Sequence, residues 1–456
     1  MAYDFVVVGA GIGGLTAAAL LATRGSSVCL LERQSQVGGC IGRVEFAGHD
    51  FEPGMGLYSG FGSGEIFDQV FSELKIRDVV AEPLSSNYVV RLPGTDFQFK
   101  PGDEFESELR RVFPDCGWEA VEFYQKISQP QKVFFRPWPP FIGHISAEDE
   151  PLTDYLPKSE SFRFFIQTQL RALLHREIEQ CSAGAAGQAL NLARGPLYAI
   201  KGGTATLAEK LESAIRRAGG MVKLNSPVLR LAFNEGGDAI GVDLLSGETI
   251  EAKRGIISNL TIWDTYGKLV GLNRTPHDIK KLLASTQGSG AYLIYASMER
   301  SALERLPGER FLVSGSAEDG EFSFTAGSGP TPEGKIAVTL KTRTDVSDWF
   351  RFHSSEEDFE EWDQAALAEF WGRIHRSLPE LGGDIEVIET ANPRTFYDQT
   401  RRKLGMVMGV ETSVVEATTP HHTSIANLSM IGDTVTTSSS IAVVMSSALA
   451  LCNSLR

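Results

Sequence analysis

A chain of 456 residues is longer than one simple core supports, and at about 100–200 residues per domain it should hold two or three. With 42% apolar and 22% charged residues it has the makeup of a folded globular protein, not of a disordered one. A net charge of −15 sets it against nucleic-acid phosphates and anionic lipid, though not against apolar contact with a membrane.

The chain opens on Asp4-Phe5-Val6-Val7-Val8, a continuous apolar run that reads as a buried parallel strand. The run has no basic flank and leads straight into glycines, unlike a signal peptide. Residues 12–24 read as a helix whose Ala18, Ala19 and Ala22 let it lie close to a sheet. Residues 27–31 read as a second buried strand, completing a βαβ opening. Residues 85–200 gather Phe clusters and prolines, with helical periodicity at 104–128 and 161–178 and no nucleotide motif.

The α/β character returns at 201–258. Lys201-Gly202-Gly203-Thr204 opens a helix to about Arg217, followed by a strand at 221–224 and a Ser226-Pro227 turn. Strands follow near 228–233, 239–245 and 249–252, with Gly236-Gly237 and Ser246-Gly247 as hairpin turns. From 286 to 400, apolar strands at 291–297, 310–314 and 336–341 accompany a helix at 357–377, which suits an antiparallel sheet with helical cover. Residues 426–431 form a last buried strand ending in Gly432-Asp433, and a final helix starts near Ser439. No stretch of 18 apolar residues is present to span a bilayer. The cysteines Cys29, Cys40, Cys116, Cys181 and Cys452 are odd in number and form no C-x-x-C pair, which fits a reducing cytosol.

Gly9-Ala10-Gly11-Ile12-Gly13-Gly14 supplies G-x-G-x-x-G between the first strand and the helix. Gly9 allows the tight turn, Gly11 lets backbone approach a pyrophosphate, and Gly14 lets helix and strand pack closely. The N-terminus of the helix, at Ile12, then offers N–H groups to phosphates. Glu32 ends the second strand, 18 residues after Gly14, where a carboxylate accepts from an adenosine ribose and repels a 2′-phosphate. This is a dinucleotide site of Rossmann type, and the fingerprint alone does not separate FAD from NAD.

Leu31-Glu32-Arg33 followed by Gly38-Gly39 resembles the start of glutathione-reductase-type flavoproteins of the amine oxidase superfamily. The stretch from Gly48 to Phe61 resembles the phytoene desaturase and carotenoid isomerase branch of it. So do Lys201-Gly202-Gly203-Thr204, 224–228, 255–259, Asn392-Pro393-Arg394-Thr395, Leu404-Gly405 and 427–433. The resemblance implies an FAD cofactor. It also implies that the glycine pair lies along the diphosphate and flavin, that Val228 meets the adenine end through its backbone, and that Gly432-Asp433 bonds the ribityl chain or a phosphate. Ser440-Ile441-Ala442 would start a helix beneath the flavin.

Three departures from that pattern stand out. Cys40 occupies the place where an arginine often follows the glycine pair, and Arg43 comes later as a residue for the flavin or for a surface ion pair. Thr436-Thr437-Ser438-Ser439-Ser440 replaces glycines, and no lysine matches the flavin-proximal lysine of many amine oxidases.

The implied architecture is an α/β chain: a Rossmann-type FAD domain assembled from 1–84, 201–285 and 401–456, with a substrate domain of mixed sheet and helices inserted at 85–200 and 286–400. The implied chemistry is hydride transfer between flavin N5 and carbon–carbon bonds of an apolar, isoprenoid or polyene substrate. A flavin amine oxidase, a redox-neutral isomerase needing reduced FAD, and a non-catalytic flavin module remain as alternatives. No residue is assigned a catalytic role and no metal site is expected. His421-His422 reads as a loop. The run 134–142, with four aromatics and three prolines, reads equally as an apolar lip, touching substrate or bilayer, and as a rigid packed loop.

Overall fold

The computed structural model describes residues 2–54, 56, 58–84, 88–100, 103–128, 150–192, 194–285, 288–315, 320–327, 329–351, 356–408, 423–436 and 440–456. The aromatic and proline run at 134–142, the His421-His422 pair, Met55, Leu57 and Thr437 to Ser439 lie outside them.

The opening apolar run is the strand Ala2–Val8, with Val28–Leu31 parallel on one side and Thr249–Ser258 parallel on the other. Met221–Lys223 extends the sheet beyond Val28–Leu31, and Leu428–Met430 pairs in parallel with the far end of Thr249–Ser258. Ala239–Leu244 pairs antiparallel with Thr249–Ser258, and Val228–Phe233 pairs antiparallel with Ala239–Leu244 to complete this first, seven-stranded sheet at its edge. Strands buried on both faces carry apolar side chains throughout, as Val6, Val7, Val28 and Leu30 do here. The helix Ile12–Thr23 is apolar all round because it is enclosed all round: its alanines let Ala205–Arg217 and Ile441–Ser454 pack directly against it.

A second sheet runs in the order Ile385–Ala391, Gly290–Glu299, Lys335–Thr344, Glu321–Ala326, Arg310–Ser314, Val89–Leu92 and Thr95–Gln98. One face carries Ile294, Val338, Leu340, Phe311 and Phe324 and is covered by Phe370 and Ile374 of the helix Glu356–Ser377. The opposite face presents Ala291, Leu293, Tyr295 and Ala337. Further along that face Val90 and Leu312 join a helical cap whose core is Phe97, Phe99, Phe105, Phe113, Phe162 and Phe165.

Two expectations are corrected here. The periodic stretch 104–128 is two helices, Asp103–Val112 and Gly117–Ser128, because Pro114 interrupts the backbone ladder between them. The helix expected over 161–178 stops at Leu174, where His175 turns left-handed (φ +59°). The strands Val89–Leu92 and Thr95–Gln98, unassigned from sequence, join the second sheet by parallel pairing with Arg310–Ser314, a contact across more than 200 residues.

Candidate functional site

A cavity of about 940 Å³ runs from the turn after Ala2–Val8 to the second sheet. Its dinucleotide end is shaped by backbone. Gly9 has φ +96°, which an L side chain rarely adopts, and a Cβ on Gly14 would stand 2.0 Å from the Gly9 carbonyl oxygen. Gly14 is therefore the packing glycine. A Cβ on Gly13 would meet the Asn259 Oδ1 at 2.6 Å, and one on Gly11 the Asn259 Nδ2 at 2.8 Å, so these glycines admit a side chain from the strand end opposite. Gly11 caps Ile12–Thr23 without a side-chain acceptor, and no acidic residue sits in the first turn. The helix end thus keeps N–H groups and partial positive charge for an anion, which is what a diphosphate needs.

Glu32 lies one residue past its strand. Its Oε2 accepts from the Ala10 N–H and its Oε1 from the Gln34 N–H, both at 2.8 Å. These bonds fix the carboxylate at the cavity wall and leave lone pairs for hydroxyl donors. The Gly38 N–H donates to the Ala10 carbonyl at 2.9 Å, laying the second glycine pair against the first. Ser226, Pro227 and Val228 wall the cavity on the same side as Glu32, since the Ser226 N–H donates to the Glu32 carbonyl. Arg33 is committed elsewhere: its Nη2 donates to the carbonyls of Gln399 (2.6 Å) and Asp398 (3.2 Å).

At the other end of this groove Gly432 has φ +118° and Asp433 pairs with the Arg402 guanidinium at 2.6 Å. Arg402 also donates from Nε to the Met406 carbonyl at 2.8 Å. Burial opposes its charge, and the Asp433 carboxylate more than restores it, holding Arg402 firmly protonated. Cys40 lies beside this pair, its side chain exposed to the open groove, and desolvation by the surrounding groove walls pushes its thiol up. Ser440 accepts from the Val443 N–H at 3.3 Å and caps the helix Ile441–Ser454, whose first turn contains no acid.

Gly9, Gly11, Ile12, Gly13, Glu32, Arg33, Gly38, Gly39, Arg43, Val228, Gly432, Asp433, Ser440 and Ile441 all line the one cavity. Gly14 and Ala442 do not: Gly14 packs helix on strand, and Ala442 turns towards Gly60. Arg43 makes no ion pair among the described residues. Asp433 reaches the groove already paired, which the sequence reading did not foresee.

Beyond the groove the wall becomes apolar: Leu173, Leu174, Ala189 and Leu197 from the cap, and Ala291, Leu293 and Tyr295 from the second sheet. Polar groups interrupt it, among them Tyr58, Tyr88, His175 and Lys341. The Tyr58 hydroxyl donates to the buried Glu52 at 2.5 Å, and burial raises that carboxyl above its usual range. His175 is held neutral, with burial pushing it down to about 3 and Lys341 and Arg343 adding to the effect. Lys341 is pushed down to about 8 by burial. Arg402, Tyr58, His175 and Lys341 were all missed from sequence.

An FAD-binding oxidoreductase is the class these features define: a parallel sheet, a glycine-laid anion groove, a fixed carboxylate at the second strand, and an adjoining apolar chamber. The chain belongs to the family of flavin containing amine oxidoreductases, whose model matches residues 12–375. Within it the chain falls in the phytoene desaturase and carotenoid isomerase branch. It is 24% identical over 441 residues to the chloroplastic prolycopene isomerase of Daucus carota, covering 88% of this chain and 71% of that one. It is 26% identical over 376 residues to the zeta-carotene-forming phytoene desaturase of Myxococcus xanthus, covering 75% and 69%. An oxidoreductase structure from Methanosarcina mazei shares the fold, with a TM-score of 0.71 at 16% identity over 99% of this chain and all of that one. No helix among the described residues is long and apolar enough to cross a membrane.

Proposed function

We propose that this flavoprotein acts on carbon–carbon bonds of an apolar isoprenoid or polyene, adding, removing or rearranging hydrogen across them. The observation that carries the reading is the continuity of the dinucleotide groove with a chamber walled by Leu173, Leu174, Ala189, Leu197, Ala291 and Leu293. When bound, the flavin supplies the hydride chemistry, and the protein's part is to orient the chain and keep water out. The helix ends at Ile12 and Ile441 and the Arg402–Asp433 pair would hold the cofactor. The apolar wall would align the substrate by area burial, worth about 25 cal/mol per Å² of apolar surface removed from water. Relatives named for a polyene isomerase and a polyene desaturase support the same substrate class.

The amine reading is weakened by charge. A protonated amine would enter a chamber whose wall already carries the partly buried Lys341, and like charges in a poorly solvated space repel. The acids on the cavity wall are Glu32, Asp264 and Asp433 on the nucleotide-type segments, and Glu45 on the exposed edge of the Val44–Phe46 strand. Flavin-loaded protein incubated with an equimolar mixture of linear polyenes and primary amines, desalted and solvent-extracted, should retain polyene. Retention of an amine with no polyene would reverse the assignment.

A further inference from the structure

Lys341 lies on the strand Lys335–Thr344, opposite Leu293 on one neighbouring strand and Ser323 on the other. Alternation along the strand sends Ile336, Val338 and Leu340 into the core under Glu356–Ser377, and Lys341 to the other face with Ala337. That face is the chamber wall, so the partly buried ammonium faces the cavity. Among the described residues it has no hydrogen bond or ion pair.

An ammonium in a low-dielectric space is costly unless an opposite charge meets it. The wall's own acids do not serve. Glu32 is bound by the Ala10 and Gln34 N–H groups, Asp264 pairs with Lys268 at 2.7 Å, and Asp433 pairs with Arg402. Glu45 is exposed. The missing charge is left for a ligand. We propose that Lys341 anchors a carboxylate carried at one end of the apolar substrate.

This rests on the chamber's being the substrate site and narrows the substrate from any polyene to an apolar acid. The charge count favours a carboxylate over a diphosphate. His175 is held neutral and adds no second cation, and Arg343, two residues on, is drawn towards Glu177 at 3.7 Å. The Tyr88 hydroxyl, buried at the wall with no hydrogen-bond partner among the described residues, is the available second donor. Burial lowers the lysine only to about 8, so at neutral pH most of it keeps its proton.

The test uses flavin-loaded protein and two probes: cis-parinaric acid, a conjugated polyene carboxylate, and its methyl ester. Binding is followed by polyene fluorescence at pH 7, and the flavin's visible spectrum reports that each variant is folded. The acid should bind about tenfold or more tighter than the ester, the usual worth of a hydrogen bond to a charged group. In Lys341→Met and Lys341→Gln the two probes should bind alike, with the ester unchanged. Equal binding of acid and ester to the unaltered protein, or a preference that survives both substitutions, overturns the anchor and leaves the apolar chamber standing. If neither probe binds the unaltered protein, the chamber reading falls and the anchor with it.

Discussion

Asp433→Ala would leave the Arg402 guanidinium without its counter-ion in a site where the two side chains keep only 16% and 20% of their surface. Removing one member of a buried pair costs about 3–5 kcal/mol, mainly because the survivor stays charged and desolvated. Since both groups retain some solvent, about 3 kcal/mol is the expected loss, read as a lower denaturant midpoint of the apoprotein. Arg402→Met should cost a comparable amount by stranding Asp433. The double variant should recover most of the loss, because replacing both charges removes the mismatch itself, and coupling of about 1 kcal/mol or more is normal for groups in contact. Flavin occupancy should behave differently: both single variants and the double variant should bind less FAD, since the pair walls the cofactor groove. Single variants that each lose under about 1 kcal/mol, with a double equal to their sum, would refute the buried-pair reasoning. Unchanged flavin content in all three would refute the placement of the pair at the cofactor.

Gly14→Ala should destabilise by about 1–3 kcal/mol or more, because the new methyl would meet the Gly9 carbonyl at 2.0 Å, a backbone atom with no room to retreat. Gly372→Ala is the control: in the helix Glu356–Ser377 it meets only the flexible end of Arg376 at 3.4 Å and should stabilise slightly, as thermal melting of both variants would show. The folded-state value of His175, about 3, lies below its unfolded value near 6.5, so between them only the unfolded chain takes up the proton. Stability should therefore fall as pH drops from about 6.5 towards 3. His175→Gln should show a shallower fall, and parallel melting-temperature profiles for the two proteins would contradict the buried neutral imidazole.

The N-terminal unit was legible because its constraints are local. A strand buried on both faces, glycines at a tight turn and a helix of small residues each leave a mark within 32 residues, and Val6, Gly14 and Ala18 sit as that pattern requires. The chamber was not legible, because its polar groups are brought in by long-range pairing. In Lys335-Ile336-Ala337-Val338-Thr339-Leu340-Lys341 the alternation is plain, and it reads as a strand with one solvated face. Only the pairing of that strand with Gly290–Glu299, and the cap formed over it from residues within 103–128 and 150–192, turn the polar face inward. Arg402 hides in the same way within Arg401-Arg402-Lys403, a charge run that suggests a wet surface, until Gly432-Asp433 arrives from 31 residues on. The break at Pro114 was visible in the sequence and was overridden by the apolar period on either side of it.

The most direct test of an apolar-chain oxidoreductase is anaerobic incubation of the flavin-loaded protein with a linear polyene and, separately, with a primary amine, first with the flavin oxidised and then after chemical reduction. The geometry of the chamber predicts that the polyene's absorption bands shift in at least one of the two redox states, as its double bonds are made, lost or rearranged, while the amine leaves the oxidised flavin spectrum unchanged. Rapid bleaching of the flavin by the amine, with every polyene recovered unaltered in both states, would contradict it.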